Sequence, residues 1–225
     1  MGSCNTTQNE QSGKDFILKI CTDAITDATV AVGTADDPTL ILKTGHGLVA
    51  GDLVQFTVIP GTVSEVAVDT VYFVKEVSTT GFKISATYGG TAITFSVAIA
   101  TGLSYEPFTT LGGLRSNGIS YAAAGVETTN YGSNQWRSFK DGAGIKSATV
   151  TGEGVVVNTT NFVYARTKMI NASLTCFAFC NVSTGEIEWG CFKITALEKK
   201  AENGGEATYT LSAESSGAIN YVAAV

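Results

Sequence analysis

The side chains best suited to chemistry in this chain are five cysteines, at 4, 21, 176, 180 and 191, and a single histidine, His46. No two cysteines stand in a Cys-x-x-Cys pair. Cys176, Cys180 and Cys191 belong to a segment that reads as a hairpin: SLTCFAFCNV, a turn at STGE (183–186), then IEWGCFKITAL. A turn pairing Ser183 with Glu186 sets Ala178 opposite Cys191 and puts Cys176, Cys180 and Cys191 on one face. Three thiols on one face could be part of a zinc or iron–sulfur site, but no fourth ligand is evident. The default is small thiols filling a core, with no metal assigned. His46 lies between glycines in TGHGLVAGDLV, a tight turn before a strand, and shows no partner that would make it a base. DGAGIKS (141–147) lacks the spacing of a phosphate loop and opens a strand, so its N–H groups would not form a cradle. No G-x-S-x-G elbow is present. Paired carboxylates distant in sequence stay open, but the acids sit mainly among turn residues, where a solvated surface is the default. No catalytic, cofactor-binding or metal residue is assigned, no cofactor is expected, and the chain does not read as an enzyme.

The elements that must position these residues come from an ordered composition. The 225 residues are 44% hydrophobic and 15% charged, with a net charge of −6. That excludes a disordered chain and a globally cationic surface for gripping nucleic acid. No apolar run approaches the roughly 20 residues a membrane span needs. The polar start MGSCNTTQNEQSGKD is no secretory signal, so the odd cysteine count reads as reduced thiols. The same start matches an acylation pattern at Gly2, Cys4 and Thr6, with a flexible arm as the plainer reading. Asn-x-Ser/Thr triplets at Asn5, Asn158, Asn171 and Asn181 read as composition.

Short runs rich in Val, Ile, Thr and aromatics, broken by Gly, Asn, Asp and Ser, predict strands and turns. Strands are expected at 14–20, 53–58, 70–77, within 78–87, at 91–100 and at 144–157, and a closing strand pair at 205–224 turning at SSG. Residues 159–170 differ: Phe162, Ala165, Met169 and Ile170 recur at helical spacing, with Thr159 or Thr160 able to cap a short helix. Charge marks a boundary. Residues 24–106 hold eight acids and three lysines, while the rest of the chain is close to balanced, which suggests a distinct module. Trp136 and Trp189 read first as core residues, then as anchors of a protein interface, and last as a sugar platform.

Three blocks carry a resemblance: GKDFILKI; residues 108–156, FTTLGGLRSNGISYAAAGVETTNYGSNQWRSFKDGAGIKSATVTGEGVV; and FKITALEKKAENGGEATYTLSAESSGAINYVAA. In their order, the chain resembles the major tail (tail tube) proteins of long-tailed, siphovirus-type bacteriophages, of the type found in phages of lactic-acid bacteria. The resemblance implies a mainly β fold, a tail-tube sandwich or barrel with one short α-helix. It places the tail tube core at 1–23 and 107–225. Where the family has a short connection, this chain carries residues 24–106, expected to be an inserted small all-β domain. Similar units recur in phage structural proteins, and a related one in ubiquitin-activating enzymes, from which no activity is carried over.

The resemblance further implies a structural virion protein of the phage tail, assembled in the bacterial cytoplasm into stacked homo-oligomeric rings, usually hexamers. The implied partners are the tape-measure protein in the bore, the tail terminator and the baseplate or distal tail proteins at the ends, and double-stranded DNA in passage. A bore without excess cationic charge lets a duplex slide. A compact domain of about 80 residues is roughly 25–30 Å across, too bulky for six copies inside a DNA-sized bore, so the module is expected outside. The Gly- and Asn-rich segment between Ile119 and Lys140 is the expected contact between rings, free to be disordered until rings stack. The subunit-interface candidates are Arg115, Tyr131, Asn134, Trp136, Arg137 and Phe139. The competing reading is a phage adhesin or carbohydrate-binding β module.

Overall fold

The structure is a computed structural model that describes residues 13–31, 37–134, 136–157, 160–201, 203 and 205–223. The acylation pattern at Gly2, with Cys4 and the triplets at Asn5 and Asn158, lies outside the described residues.

The fold is mainly β, with one α-helix. In chain order the strands are β1 (Phe16–Cys21), β2 (Ile25–Val30), β3 (Leu40–Leu42), β4 (Leu53–Val58), β5 (Val71–Val77), β6 (Gly81–Ser85), β7 (Ile99–Thr110), β8 (Leu114–Ala123), β9 (Lys146–Val155), β10 (Leu174–Asn181), β11 (Ile187–Lys200), β12 (Thr208–Ser215) and β13 (Asn220–Val222), with α1 (Thr160–Ile170) between β9 and β10. All named strands pair antiparallel, in the order β2-β3-β6-β5-β4-β7-β1-β10-β11-β12-β9-β8.

The first half of that order closes on itself. β2 also pairs with β7, Ile25 opposite Tyr105 and Val30 opposite Ile99, so six strands form a barrel. Its interior is aromatic and β-branched: Phe56, Tyr72, Phe82, Ile84, Leu103 and Tyr105 share one buried cluster. The rings of Phe82 and Tyr105 meet edge-on, with centroids 5.2 Å apart.

The second half is the body, an antiparallel sheet from β7 and β1 through β10, β11, β12 and β9 to β8. Its other cluster holds Leu18, Ile20, Val150, Phe177, Phe192 and Leu211. The helix covers part of this face: the ring of Phe162 packs 4.8 Å from that of Tyr209, whose hydroxyl donates to Gly112 O at 3.0 Å. The sheet curls until β8 returns to β1, where Asn117 Nδ2 donates to Phe16 O at 3.2 Å.

Barrel and body share strands. β1 and β2 run on from each other along one edge of β7, which pairs with β1 through Phe108–Thr110 and with β2 through Ile99–Tyr105. Strands β4 and β5 are therefore covered on both faces. Val54, Phe56, Tyr72 and Val74 point into the barrel, while Leu53, Val71 and Phe73 point out into a seam with Cys21, Phe108, Ala178, Cys180, Ile187 and Trp189. This explains the unbroken runs LVQF and VYFV, since a strand buried on both faces loses its polar alternation. One charged pair lies in the seam: Lys19 Nζ bonds Asp52 Oδ1 at 3.0 Å, both side chains almost wholly buried. The second Asp52 oxygen accepts from Val49 N at 3.0 Å.

Four local expectations need correction. Residues 91–98 form no strand; they lie across the barrel, with Ile93 N bonded to Ile84 O, Phe95 N to Pro38 O, and the Phe95 ring buried as a plug. Its apolar residues fill a hole instead of extending a ladder. Ile170 is exposed, because the helix ends there and its buried stripe stops at Phe162 and Ala165. The chain end makes no hairpin with β12: β13 pairs with Ile187–Trp189 of β11, just beyond the point where β12 leaves that strand. Finally, the 174–200 hairpin is shifted by two residues, pairing Cys176 with Cys191 and Ala178 with Trp189. The Asn181 side chain accepts from Ser183 N and Oγ, and Gly185 N donates to Asn181 O, which builds a four-residue loop with Gly185 at φ 75° in place of a two-residue turn.

Candidate assembly surface

Among the described residues, strand β8 stands at the end of the strand order with one edge without a ladder partner, touched by β1 only through the Asn117 side chain. The half of its backbone donors and acceptors that points away from β9 is a template for another strand. Natural edges are often blunted by lysine or proline, yet β8 reads LRSNGISYAA, with Arg115 as its single charge. Arg115 is itself engaged, pairing with Glu206 at the outer end of the strand. The barrel contrasts: its ladder returns to β7, so no strand there ends the order.

Past Ala123, the β8–β9 hairpin runs on as an arm, residues 124–145. The expectation of a loose loop does not hold, because the arm carries its own ladder. Ala124 N bonds Ile145 O, Lys140 N bonds Val126 O and Thr128 N bonds Ser138 O, at 2.8–2.9 Å, with a bridge between Glu127 and Phe139. Its tip is a single 3-10 turn, Tyr131–Ser133, held by reciprocal caps: Asn130 Oδ1 accepts from Gly132 N, and Ser133 Oγ from Asn130 N. Asn134 ends the turn in the left-handed region, at φ 52°. Two glycines let the strands of the arm close. A Cβ on Gly125 would stand 2.7 Å from the Phe139 ring, and one on Gly144, at φ +111°, would strike Ala124 O at 1.5 Å.

The arm presents apolar surface to solvent. Tyr131 is fully exposed, Trp136 is 80% exposed, and Val126, Phe139 and Ile145 are also open. The guanidinium of Arg137 lies 5.0 Å from the Phe139 ring centroid and bonds Glu127 Oε2 at 3.0 Å, which stiffens both side chains in advance of any contact. The core reading of the tryptophans thus divides: Trp189 is buried in the seam, and Trp136 is not. Of the six candidates the structure gathers five, Tyr131, Asn134, Trp136, Arg137 and Phe139, on one arm. Arg115 stands apart, at the other end of β8, roughly 25–30 Å away at about 3.4 Å per residue. Sequence reasoning missed Tyr121, Val126 and Ile145, which extend the exposed apolar side chains along the arm and the adjoining end of β8; their spacing within a Gly- and Ala-rich stretch was the available signal.

The remaining chemistry is structural. His46 is buried, its Nε2 donating to Ser78 O at 2.9 Å and its Nδ1 accepting from Leu48 N at 3.0 Å, so both nitrogens are spent holding the turn. An open groove of about 660 Å³ lies at the base of the arm between Tyr121, Ala123, Lys146, Ser215, Gly217 and Ile219. Among the described residues, the side-chain cluster with metal-ligating character is Cys21, Glu106 and Cys176, in the seam.

A β body with an edge strand and an ordered, exposed aromatic arm offers surface suited to association with another chain. Residues 87–221 match the family of phage tail tube proteins, and the chain belongs to that family. Two solved chains are similar. One, from the tail of an empty gene transfer agent particle refined with C6 symmetry, shares 32% identity over 52% of this chain and 87% of its own, with a TM-score of 0.49. Another, from the virion of a native gene transfer agent particle, shares 32% identity over 52% of this chain and 89% of its own, with a TM-score of 0.47. No curated protein matches the chain.

Proposed function

We propose that this tail tube protein builds the tail of a siphovirus-type phage, of the kind found in phages of lactic-acid bacteria, by closing six copies into a ring and stacking the rings. The observation that carries the reading is the open β8 edge running directly into an ordered, aromatic arm. An edge of ten residues offers backbone pairing to a neighbour within a ring, and closing the ring leaves no free edge. The arm offers Trp136, Tyr131, Phe139 and Arg137 to a copy in the adjacent ring; tryptophan, tyrosine and arginine are the residue types that dominate interface energetics. Asn134 keeps the tip in its bent form, and Arg115, already paired with Glu206, closes the far end of the edge.

The barrel, residues 24–106, is an inserted domain on the outside of the tube. Two observations support this. The family match begins only at residue 87 and so leaves out five of the six barrel strands. The barrel also carries most of the chain's net negative charge, and six domains of its size would fill a DNA-sized bore. Within the bore the partners are the tape-measure protein and then the double-stranded DNA that replaces it. At the ends stand the tail terminator and the baseplate or distal tail proteins. Assembly takes place in the host cytoplasm, and none of these steps asks for a catalytic residue.

The test is negative-stain microscopy of purified protein as concentration is raised. Tubes with six subunits per ring and external knobs are expected. Protein that stays single at high concentration and with tail initiator present would overturn the reading. A second preparation replaces 24–104 by a short turn and changes Lys19→Met, so that no buried charge is orphaned. Smooth, thinner tubes are expected, and knobs that persist on them would refute the external placement.

A further inference from the structure

Three cysteines line up across three neighbouring strands. Cys176 on β10 stands directly opposite Cys191 on β11, and their sulfurs lie 3.4 Å apart. Cys21 ends β1, one step past the Ile20–Phe177 pair, and its Sγ accepts the Cys176 N–H at 3.1 Å. On the next strand, β7, Cys21 is paired with Phe108, and Glu106 is two residues along on the same face. The donor atoms of Cys21, Glu106 and Cys176 all lie within 4.8 Å of one another. No sequence spacing announces this set, since its members are separated by 85, 70 and 15 residues along the chain and meet only through strand order.

We propose that Cys21, Cys176, Cys191 and Glu106 bind one thiophilic divalent cation of the Zn²⁺ class, at the junction where barrel and body share strands. Cys191 Sγ stands outside that mutual cluster but 3.4 Å from Cys176 Sγ, and its exposed side chain would turn inward to complete a tetrahedral set of three sulfurs and one carboxylate oxygen. Zinc–sulfur bonds of about 2.3 Å set tetrahedral sulfurs roughly 3.8 Å apart, close to the Cys176–Cys191 separation. Cys180, two rungs further along β10, takes no part: it is buried beside Lys19 and Asp52, and burial pushes its thiol up to about 11. Cys176, Cys180 and Cys191 do share one face, as expected, but Cys180 stands too far along it, and the third thiol of the group comes from β1. A cation here would tie β7, β1, β10 and β11 together at the root of the barrel. The proposal does not depend on ring assembly.

The full chain, purified with reductant and stripped of metal, is titrated with Co²⁺ and then Zn²⁺. One equivalent of Co²⁺ is expected to give thiolate charge-transfer absorption and the intense visible bands of a tetrahedral ion, which one equivalent of Zn²⁺ abolishes. Cys21→Ser and Cys176→Ser should lose the signal, Glu106→Gln should weaken binding by about 10–100-fold, and Cys180→Ser should bind like the parent. If Cys21→Ser fails to fold, the parent titration and Glu106→Gln decide. Absence of the cobalt bands from folded parent protein with reduced thiols would overturn the proposal. So would their survival in the folded Cys21→Ser/Cys176→Ser double variant, or a Cys176–Cys191 disulfide persisting in reductant-treated protein.

Discussion

Barrel and body are built from the same antiparallel ladder, yet they end it differently. The barrel brings β2 back to β7 and leaves no terminal strand. The body stops at β8 and continues it into an arm whose aromatic side chains face solvent. Closure satisfies backbone groups within one chain, whereas an open edge hands that task to a second chain. On the reading proposed above, association belongs to the body and the barrel stands by itself. The family match spans residues 87–221, from the segment that plugs the barrel through β7 into β13, and leaves out β1.

The comparison breaks most sharply at the arm. Replacing 124–145 by a two-residue Asn-Gly turn should leave a folded monomer with unchanged circular dichroism and abolish tubes in the microscope; tubes of normal length would move association elsewhere. Next in size is the seam. Asp52→Ala leaves Lys19 buried without its partner and should cost about 3–5 kcal/mol in urea unfolding, as loss of one member of a buried ion pair does. Lys19→Met in the same chain should recover most of that loss, and no recovery would mean that Asp52 acts mainly through Val49 N. Trp136→Ala should then cost about 2 kcal/mol or more of association, a rise of roughly 30-fold in the concentration at which tubes appear, with the melting temperature unmoved. Smallest is a local acid effect in the barrel. Glu65 is held down to about 2, first by Ser96, whose N–H it accepts at 2.8 Å. Its depressed value means that its contribution is present above the unfolded carboxylate range and is lost as pH falls from about 4.5 toward 2. The protection of the Ser96 amide, measured against its intrinsic exchange rate at each pH, should fall over that window, and Glu65→Gln should flatten the response.

How legible this was in the sequence varies with the range of the interaction. LVQFTV is β4 residue for residue, and TTNFVYARTKMI holds the helix, because local pattern and burial agree there. In β9 the alternation also holds, with Ala148 and Val150 inside and Ser147 and Thr151 out. Residues 91–98 misled because a plug such as Phe95 has the composition of a strand without a neighbour to pair with. The two-residue shift of the β10–β11 hairpin was hidden in the Asn181 side chain, which sets the loop. Trp136 and Trp189 are the same residue type, and only the fold separates the exposed one from the buried one. The Cys21–Cys176–Cys191 row was out of reach, since it depends on β1 lying beside β10 across more than 150 residues.

The shared strands have one more consequence. Thr22 N donates to Pro107 O at 3.0 Å, so the chain enters and leaves the barrel through adjacent hydrogen-bonded residues. Entry and exit that close together form a socket. Any foreign domain whose first and last residues are neighbours could be spliced there, once Lys19 is neutralised, and a cylinder made of such chains would display it at regular intervals along its length.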